Sequence, residues 1–222
     1  LVPWTGAAEP VQYALVPVGQ ADPSDIGDAM VVHTPVESFV SLSTTYLPFL
    51  DQLGVLESLV AVDAASYIYN PDVLTWIEAG AVYEVGSGSY INVERLVDLN
   101  PDLIMTSASG YTDYDSHPML LEAGLPVVIN SDYLEQDPLG RAEWGKFIAA
   151  FYDKEAEADS LFDAVVERYQ EAKDLTSGLT ERLTVFANTA YEGTRYMPGG
   201  ESYIALLLAD AGADYVFKDL EG

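Results

Sequence analysis

From Met30 onward, short apolar runs alternate along the chain with segments whose apolar positions recur every three or four residues. Runs of the first kind are typical of buried strands, and segments of the second kind are typical of amphipathic helices. Strands that alternate with helices predict an α/β fold with a parallel sheet. The predicted strands are Met30–Thr34, Phe39–Leu42, Leu59–Val62, Asp102–Thr106 and Pro126–Ile129. The predicted helices are Thr45–Leu53, Pro71–Ala79, Val93–Leu99 and Pro118–Ala123.

The carboxyl ends of these strands indicate where a ligand binds. Asn100-Pro101 ends one helix just before a strand, and Gly124 with Pro126 ends another in the same way. In an open parallel sheet, the loops that leave the carboxyl ends of the strands form the ligand crevice. The predicted crevice loops are Ser43–Tyr46, Asp63–Pro71, Ser107–Pro118 and Asn130–Gly140.

Two further segments flank this pattern. Residues 1–29 are predicted to form an arm, with a strand at Val11–Val18 and a turn-rich stretch after it. Residues 153–175 carry apolar positions at helical spacing throughout, which predicts one amphipathic helix of roughly 30 Å. The pattern is compatible with a rigid connector and equally with a long surface helix.

The last part of the chain restarts the α/β pattern with a strand at Leu183–Ala187, a helix at Ser202–Ala211 and a strand at Tyr215–Phe217. These elements are too few to bury a core of their own, so we expect a second α/β unit that is incomplete in this chain. The predicted domains are the arm 1–29, a first lobe 30–140, helices including the connector 141–181, and the start of a second lobe 182–222.

Composition narrows the possible functions. The chain has 9 Lys and Arg against 36 Asp and Glu in 222 residues, a formal net charge of −27. A surface of this sign repels phosphate groups, which argues against nucleic-acid binding. The cations are unevenly placed, because residues 1–140 contain only Arg95 against 20 acids. The 49% of hydrophobic residues indicates a folded protein rather than an acidic disordered tail.

The sequence gives less information about the cellular compartment of the protein. The chain has no Cys, which excludes disulfides and thiolate chemistry. Its apolar runs are shorter than the 18 or so residues that cross a bilayer, and its first residues lack the regions of a signal peptide. We therefore expect either a cytosolic chain or one whose export signal has been removed.

Histidine and serine patterns give little support for metal or nucleophilic chemistry. His33 lies in a predicted strand, where a packed or capped imidazole is expected. The segment Thr112–His117 has two carboxylates and an imidazole that could ligate a cation weakly, but it lacks the Gly and distal Glu of a calcium loop. The sequence has no Gly-x-Ser-x-Gly elbow. We predict no metal and no cofactor, while paired carboxylates of a glycosidase-type hydrolase stay open among so many acids.

Tyrosine is the most distinctive component, with 15 Tyr against 7 Phe. Tyrosine presents a flat apolar face and a polar tip, and it therefore suits a partly wet cleft that holds a sizeable ligand. Many of these tyrosines lie on predicted loops, including Tyr69, Tyr114 and Tyr133. The residues selected as ligand contacts from these loops are Thr45, Tyr46, Tyr67, Tyr90, Tyr111, Tyr191 and Tyr196.

Two arginines complete the predicted contacts. Arg141 lies in Pro138–Trp144, and Arg195 lies in Gly193–Tyr196, both interpreted as loops. A guanidinium on a crevice loop is a suitable fork for a carboxylate or a catecholate. An ion pair with one of the many neighbouring acids is the alternative, and the sequence leaves both open.

Several stretches taken together resemble the substrate-binding proteins of ABC importers that capture ferric siderophores, haem and cobalamin. The resemblance runs from about residue 30 to residue 222, and six stretches carry it. They are residues 40–54, 92–104, 121–128, 138–144, 197–203 and 210–215. The resemblance implies two Rossmann-like α/β lobes joined by one long helix, with the ligand held in a cleft between them. It also implies a periplasmic or cell-surface location, with a lipid anchor before processing as one possibility, and we expect a monomer.

The resemblance also implies docking on an ABC permease through an acidic residue on each lobe. Glu94 in Asn92–Arg95 occupies the position that matches the carboxylate of the first lobe. The alternative is that Glu94 is a first-turn helix acid stabilised by the helix dipole, with no partner.

The first functional hypothesis is therefore an extracytoplasmic protein that captures an iron chelate and delivers it to a permease. Cobalamin, a corrinoid, is the nearest rival ligand, whereas bare zinc or manganese is disfavoured because the chain has two histidines. A hydrolase with paired carboxylates and a surface adhesion or sensor protein are the alternatives of other classes.

Overall fold

The computed structural model describes residues 1–221, which form two compact units. The first unit comprises Leu1–Ser131 together with Phe147–Glu157. The second comprises Asp132–Lys146 together with the chain from Ala158 onward. The segment 1–29, separated by the sequence as an arm, is thus part of the first unit.

The first unit contains seven strands and four α-helices, and the α/β class predicted from the sequence is confirmed. The strands are β1 Tyr13–Pro17, β2 Met30–Thr34, β3 Phe39–Ser41, β4 Leu59–Val62, β5 Tyr83–Glu84, β6 Leu103–Thr106 and β7 Val127–Ile129. The helices are α1 Leu47–Gln52, α2 Pro71–Glu78, α3 Val93–Leu99 and α4 His117–Glu122. Strands β3 to β7 form one parallel sheet in the order β5-β4-β3-β6-β7. Strand β2 pairs instead with β1, in a separate parallel pair.

The core of the first unit lies on both faces of the parallel sheet. On one face, Val40 and Ile104 of the sheet belong to a cluster with Leu96 of α3 and Leu120 of α4. Successive side chains of a strand point to opposite faces, and the Phe39 ring on the other face lies 6.3 Å from the ring of Tyr152. Burial on both faces explains why these strands read as continuous apolar runs in the sequence.

Local capping fixes where the helices begin, and hence where the crevice loops end. The Asn70 side chain accepts hydrogen bonds from the backbone N–H groups of Asp72 and Val73 at the start of α2, where Pro71 is the first helical residue. The Asn92 side chain accepts from the N–H of Arg95 at the start of α3. Helix α3 ends at Leu99, and the following residue, Asn100, adopts a left-handed conformation before Pro101.

Two longer helices follow. Helix α5 spans Pro138–Ala149, and α6 spans Glu155–Ser177. Helix α6 has 23 residues and is therefore about 35 Å long, and the predicted helix at residues 153–175 is confirmed.

Helix α5 is a correction, because Pro138–Trp144 was interpreted as a crevice loop. The Asp137 carboxylate accepts from the N–H groups of Leu139 and Gly140, so the Asp-Pro pair starts a helix here.

The second unit has short strands and one further helix. Strand β8 Thr184–Val185 pairs in parallel with β11 Asp214–Tyr215. Strands β9 Ala190–Tyr191 and β10 Thr194–Arg195 form an antiparallel hairpin, and α7 spans Tyr203–Asp210. None of the helices in residues 1–221 is both long and apolar enough to cross a membrane.

Helices α6 and α7 are joined through Asp210. The Tyr169 hydroxyl donates to Asp210 Oδ2 at 2.7 Å, and Lys173 Nζ lies 2.8 Å from Asp210 Oδ1. The hydroxyl of Thr176 donates to the backbone carbonyl of Asp210 at 2.8 Å. The polar face of the long helix is thereby attached to the last turn of α7.

Candidate functional site

The loops at the carboxyl ends of the first-unit strands carry a concentration of exposed tyrosines. Residues 42–46 follow β3, residues 63–70 follow β4, residues 85–92 follow β5 and residues 107–116 follow β6. Because the strands are parallel, these loops leave the sheet at the same edge. The exposed tyrosines on them are Tyr67, Tyr69, Tyr90, Tyr111 and Tyr114.

A groove of about 490 Å³ lies between the loops that follow β5 and β6. The volume falls within the range of small-molecule sites. Tyr90 and Tyr114 line it and are 90% and 79% exposed, so their ring faces are available for contact. The residues that line the groove are Leu42, Ser87, Gly88, Ser89, Tyr90, Thr106, Ser107, Asp113, Tyr114, Asp115 and Ser116.

The two loops contact each other directly through Gly88. Its N–H donates to Ser116 Oγ at 2.7 Å. Gly88 has φ +55°, and a Cβ at this position would lie 3.1 Å from the carbonyl oxygen of Tyr114. The left-handed backbone favours glycine here, and the close approach of the loops leaves little room for a Cβ.

Asp115 organises the loop after β6. Its carboxylate is buried, 5% exposed, and accepts from Ser109 N–H, Ser109 Oγ and Gly110 N–H at 2.8 Å each. The carbonyl of Tyr111 accepts from the N–H groups of Tyr114 and Asp115. Donors from the loop itself surround this charge, which is how a buried carboxylate is stabilised. One of the two carboxylates suggested for a weak cation site is thus already bonded within its own loop.

The two histidines occupy different environments. His117 is buried, with Nδ1 3.9 Å from Asp115 Oδ2 and its ring 5.5 Å from the ring of Trp4. Burial lowers the pKa of His117, and the nearby Asp115 charge partly opposes that shift. His33 was expected to be packed or capped, but its side chain is 51% exposed and faces Asp22 at 3.5 Å. It lies on β2, on the side that faces solvent.

Tyr46 is a correction among the predicted ligand contacts. It is 1% exposed, and it immediately precedes α1 with its side chain in the core. A side chain buried to that extent offers almost no surface to a ligand on this unit. The neighbouring Thr45 is exposed, and its hydroxyl is hydrogen-bonded to Ser43 Oγ at 2.8 Å.

Arg141 belongs to helix α5 rather than to the predicted loop, and its guanidinium has partners within the chain, while its role as a ligand contact stays a prediction. Its Nη2 donates to the carbonyls of Tyr133 and Glu135 at 3.0 and 3.2 Å. The guanidinium also lies over the ring of Tyr203, 4.1 Å from the centroid. These contacts hold the start of α5 within the second unit.

The other predicted ligand contacts of the second unit lie on or directly after one hairpin. Tyr191 ends β9, Arg195 ends β10, and Tyr196 follows it. All three are exposed, and the Arg195 guanidinium lies 4.3 Å from the centroid of the Phe186 ring. The structure thus brings Tyr191, Arg195 and Tyr196 together.

Sequence reasoning missed the loop after β5 as a whole, although it selected Tyr90. Strand β5 is only two residues long and gave no strand signal. The Gly86-Ser87-Gly88 turn directly before Tyr90 is the signal that could have indicated this loop. Glu94 lies just beyond it, exposed in the first turn of α3.

Known proteins share this fold and part of this sequence. The chain is 30% identical over 202 residues to an uncharacterised lipoprotein of Methanocaldococcus jannaschii, covering 86% of this chain and 48% of the relative. A second uncharacterised lipoprotein of that organism is 28% identical over 215 residues, covering 90% and 53%. The chain spans about half the length of these relatives.

Solved structures agree on the fold. A possible iron-binding periplasmic protein of Staphylococcus epidermidis has a TM-score of 0.65 at 19% identity, covering 85% of this chain and 70% of that one. The periplasmic vitamin B12-binding protein of Vibrio cholerae has a TM-score of 0.60 at 17% identity, covering 85% and 69%. The haem-binding protein of Roseiflexus sp. RS-1 has a TM-score of 0.61 at 21% identity, covering 82% and 66%.

A family model described as periplasmic binding protein matches residues 39–221. The family and the structural neighbours are binding proteins rather than enzymes, which sets aside the carboxylate-dependent hydrolase. The match covers most of the chain, including the parallel sheet β3 to β7. The chain therefore belongs to the periplasmic binding protein family.

Proposed function

We propose that this chain is the substrate-binding component of an ABC importer, located outside the cytoplasm, and that it captures an iron chelate. The observation that carries the proposal is the groove at the carboxyl edge of the sheet, flanked by the exposed rings of Tyr90 and Tyr114. Related folds that are named for iron, haem and Fe³⁺-hydroxamate transport support this ligand class. The name of the lipoprotein relatives supports a location outside the cytoplasm, with a lipid anchor as one form of it.

The chemistry of the groove suits a bulky chelate. Two aromatic faces can pack against a ligand with extended apolar surface, and the hydroxyls of Ser87, Ser89 and Ser107 can bond to its polar rim. Thr45, Tyr67 and Tyr111 stay predicted contacts on neighbouring loops. Tyr191, Arg195 and Tyr196 stay predicted contacts on the β9–β10 hairpin, where Arg195 is the cation proposed to meet a negative group of the chelate.

A corrinoid is the alternative ligand. The vitamin B12-binding protein of Vibrio cholerae shares the fold, and the same aromatic faces suit a corrin ring. Titration of the chain with ferric desferrioxamine B, haemin and cyanocobalamin, followed by tryptophan fluorescence, separates the candidates. Saturable quenching by an iron chelate supports the first proposal, and quenching by cyanocobalamin alone supports the second. The absence of saturable binding by all three would reject both.

Substitution of Tyr90 tests whether the groove is the surface that binds the ligand. Truncation of a central aromatic contact commonly weakens binding by tenfold or more, so we expect Tyr90→Ala to raise the Kd of the bound probe by about tenfold. Tyr69→Ala is the matched control, because Tyr69 is equally exposed but does not line the groove. Equal losses in the two variants would show that the groove is not the principal contact.

Delivery to a permease is proposed to involve Glu94 and a monomeric binding protein. In cells that contain the cognate importer, Glu94→Gln should lower chelate uptake while leaving the Kd of the purified protein unchanged. Asp98→Asn is the control, because Asp98 is an exposed acid on the same helix. Unchanged uptake in Glu94→Gln, or an equal decrease in Asp98→Asn, would assign Glu94 to the helix dipole alone.

A further inference from the structure

The N-terminal arm lies outside the family match, which begins at residue 39, yet it reaches the carboxyl edge of the sheet. The N–H of Ile129, the last residue of β7, donates to the Tyr13 hydroxyl at 2.8 Å. The Ser131 hydroxyl donates to the carbonyl of Pro3 at 3.1 Å. These two bonds hold the beginning of the arm beside the end of β7, where the crevice loops leave the sheet.

Trp4 is the arm residue that contacts a crevice loop. A Cβ built at Gly110 would lie 2.7 Å from both Cδ1 and Nε1 of Trp4, so the edge of the indole rests on the Gly110 backbone. The indole also lies 5.5 Å from the ring of His117 at an angle of 37°. Gly110 begins the turn that carries Tyr111 and Tyr114.

The loop that Trp4 contacts is internally bonded, so it responds as one piece. Gly110 N–H donates to Asp115 Oδ2 at 2.8 Å, and the carbonyl of Tyr111 accepts from Tyr114 N–H at 2.9 Å. Ser116 Oγ accepts from the N–H of Gly88 on the facing loop at 2.7 Å. Hydrogen bonds thus connect Gly110, through Asp115 and the adjacent Ser116, to both loops that line the groove.

We propose that Trp4 is a positioning residue for the binding groove. It contacts both the Gly110 backbone and the His117 ring, and it thereby fixes the loop of residues 107–116. A segment outside the family-matched part of the chain thus sets the geometry of the tyrosine-bearing surface. The effect on the loop stands on the contacts alone, whereas the effect on binding rests on the function proposed above.

Amide hydrogen exchange of the full chain tests the effect on the loop. The Ser109 and Gly110 N–H groups, both bonded to Asp115, are the reporters. In Trp4→Ala we expect their exchange to be about tenfold faster, because exchange follows the local opening equilibrium. Trp4→Phe should restore part of the protection, since a phenyl ring keeps the contact with His117. Val2→Ala, a truncation of an exposed neighbour in the arm, should leave exchange unchanged.

The position of the faster-exchanging amides distinguishes a positioning role of Trp4 from a general loss of stability. The amides of β3 and β6 should keep their protection in Trp4→Ala. Unchanged exchange at Ser109 and Gly110 would overturn the proposal, as would acceleration spread equally over the sheet. If Trp4→Ala does not fold, the comparison of wild type with Trp4→Phe decides, and equal loop protection in these two proteins would count against the proposal.

Binding provides the second readout. For whichever of ferric desferrioxamine B, haemin and cyanocobalamin binds the wild type, Trp4→Ala should raise the Kd about tenfold and Val2→Ala should not. A wild type that binds none of the three would reject the proposed function, while the exchange result would still decide the role of the arm. If Trp4→Ala accelerates exchange in the loop but leaves the Kd unchanged, the order of the loop does not affect ligand affinity, and the proposal is overturned.

Discussion

At the scale of single residues, Asp115 illustrates how a buried charge shapes a surface. Its carboxylate accepts from Ser109 and Gly110 and so closes the loop that carries the exposed rings of Tyr111 and Tyr114. Hydrogen bonds to a charged group each contribute about 1.5–3 kcal/mol, which offsets part of the entropy of ordering the loop. The residue that organises this loop is therefore an aspartate whose side chain is almost fully buried.

His117 next to Asp115 predicts a pH dependence of stability. Burial lowers the pKa of His117 in the folded state below its ordinary value near 6.5. Between these two pKa values the unfolded state binds more protons, so the free energy of unfolding should fall as the pH decreases through about 6.5. We expect His117→Gln to show a smaller loss than the wild type between about pH 8 and pH 5.5, measured by urea unfolding.

His33 provides the control for this measurement. Its side chain is half exposed on β2, so His33→Gln removes an imidazole without touching the buried site around His117. Half-buried carboxylates such as Asp63 have a raised pKa from burial and act in the opposite direction at lower pH. The difference between variant and wild type isolates His117, and identical slopes would contradict the prediction.

At the scale of elements, the sequence predicted the parts of the fold that a strong local pattern specifies. Strands β3, β4, β6 and β7 were found because burial on both faces makes most of their positions apolar. Strand β5 was missed because two residues carry no period. Pairing of β2 with β1 was not foreseen, since an apolar run does not reveal which strand lies beside it.

The site was predictable to a similar degree. The loops after β3, β4 and β6 followed from the strand pattern, and their exposed tyrosines followed from residue type. Tyr46 and Arg141 were misplaced for tertiary reasons, because the direction of a side chain and the partners of a guanidinium depend on segments distant in sequence or on helix geometry. The contact of Trp4 with Gly110 joins residues more than a hundred positions apart, which no local pattern encodes.

Helix α5 yields a prediction about its start. The Asp137 carboxylate caps the N–H groups of Leu139 and Gly140, so Asp137→Ala should lower the free energy of unfolding by about 1 kcal/mol. Urea unfolding followed by Trp144 fluorescence measures the change, since Trp144 lies within α5.

Asp137→Asn is the matched control for the cap. Asparagine keeps the side-chain oxygen that accepts both N–H groups, and it serves as a helix cap about as well as aspartate. We expect Asp137→Asn to retain most of the stability. A loss as large as that of Asp137→Ala would attribute the effect to charge at the helix dipole rather than to the cap.

At the scale of the whole molecule, charge is the dominant feature. The first unit has two cations, Arg95 and Lys154, against 20 acids, a net charge of −18, and the second has seven cations against 16 acids, a net charge of −9. Most ion pairs of the described chain involve exposed side chains, where each contributes little. Repulsion among the remaining acids therefore opposes folding in both units.

Added salt should consequently stabilise this protein at neutral pH. Between about 0.1 M and 1 M NaCl the Debye length falls from about 10 Å to about 3 Å, which screens the repulsion among exposed carboxylates. We expect the Tm at pH 7.5 to rise by several degrees over this range. Because protonation removes the same charges, the gain should shrink as the pH approaches the sequence pI of about 4.1. A Tm that is flat or falls with salt at pH 7.5 would mean that screening weakens the ion pairs of paired acids at least as much as it relieves repulsion among unpaired acids. A rise in Tm that is independent of pH would assign the effect of salt to ion-specific salting-out rather than to screening.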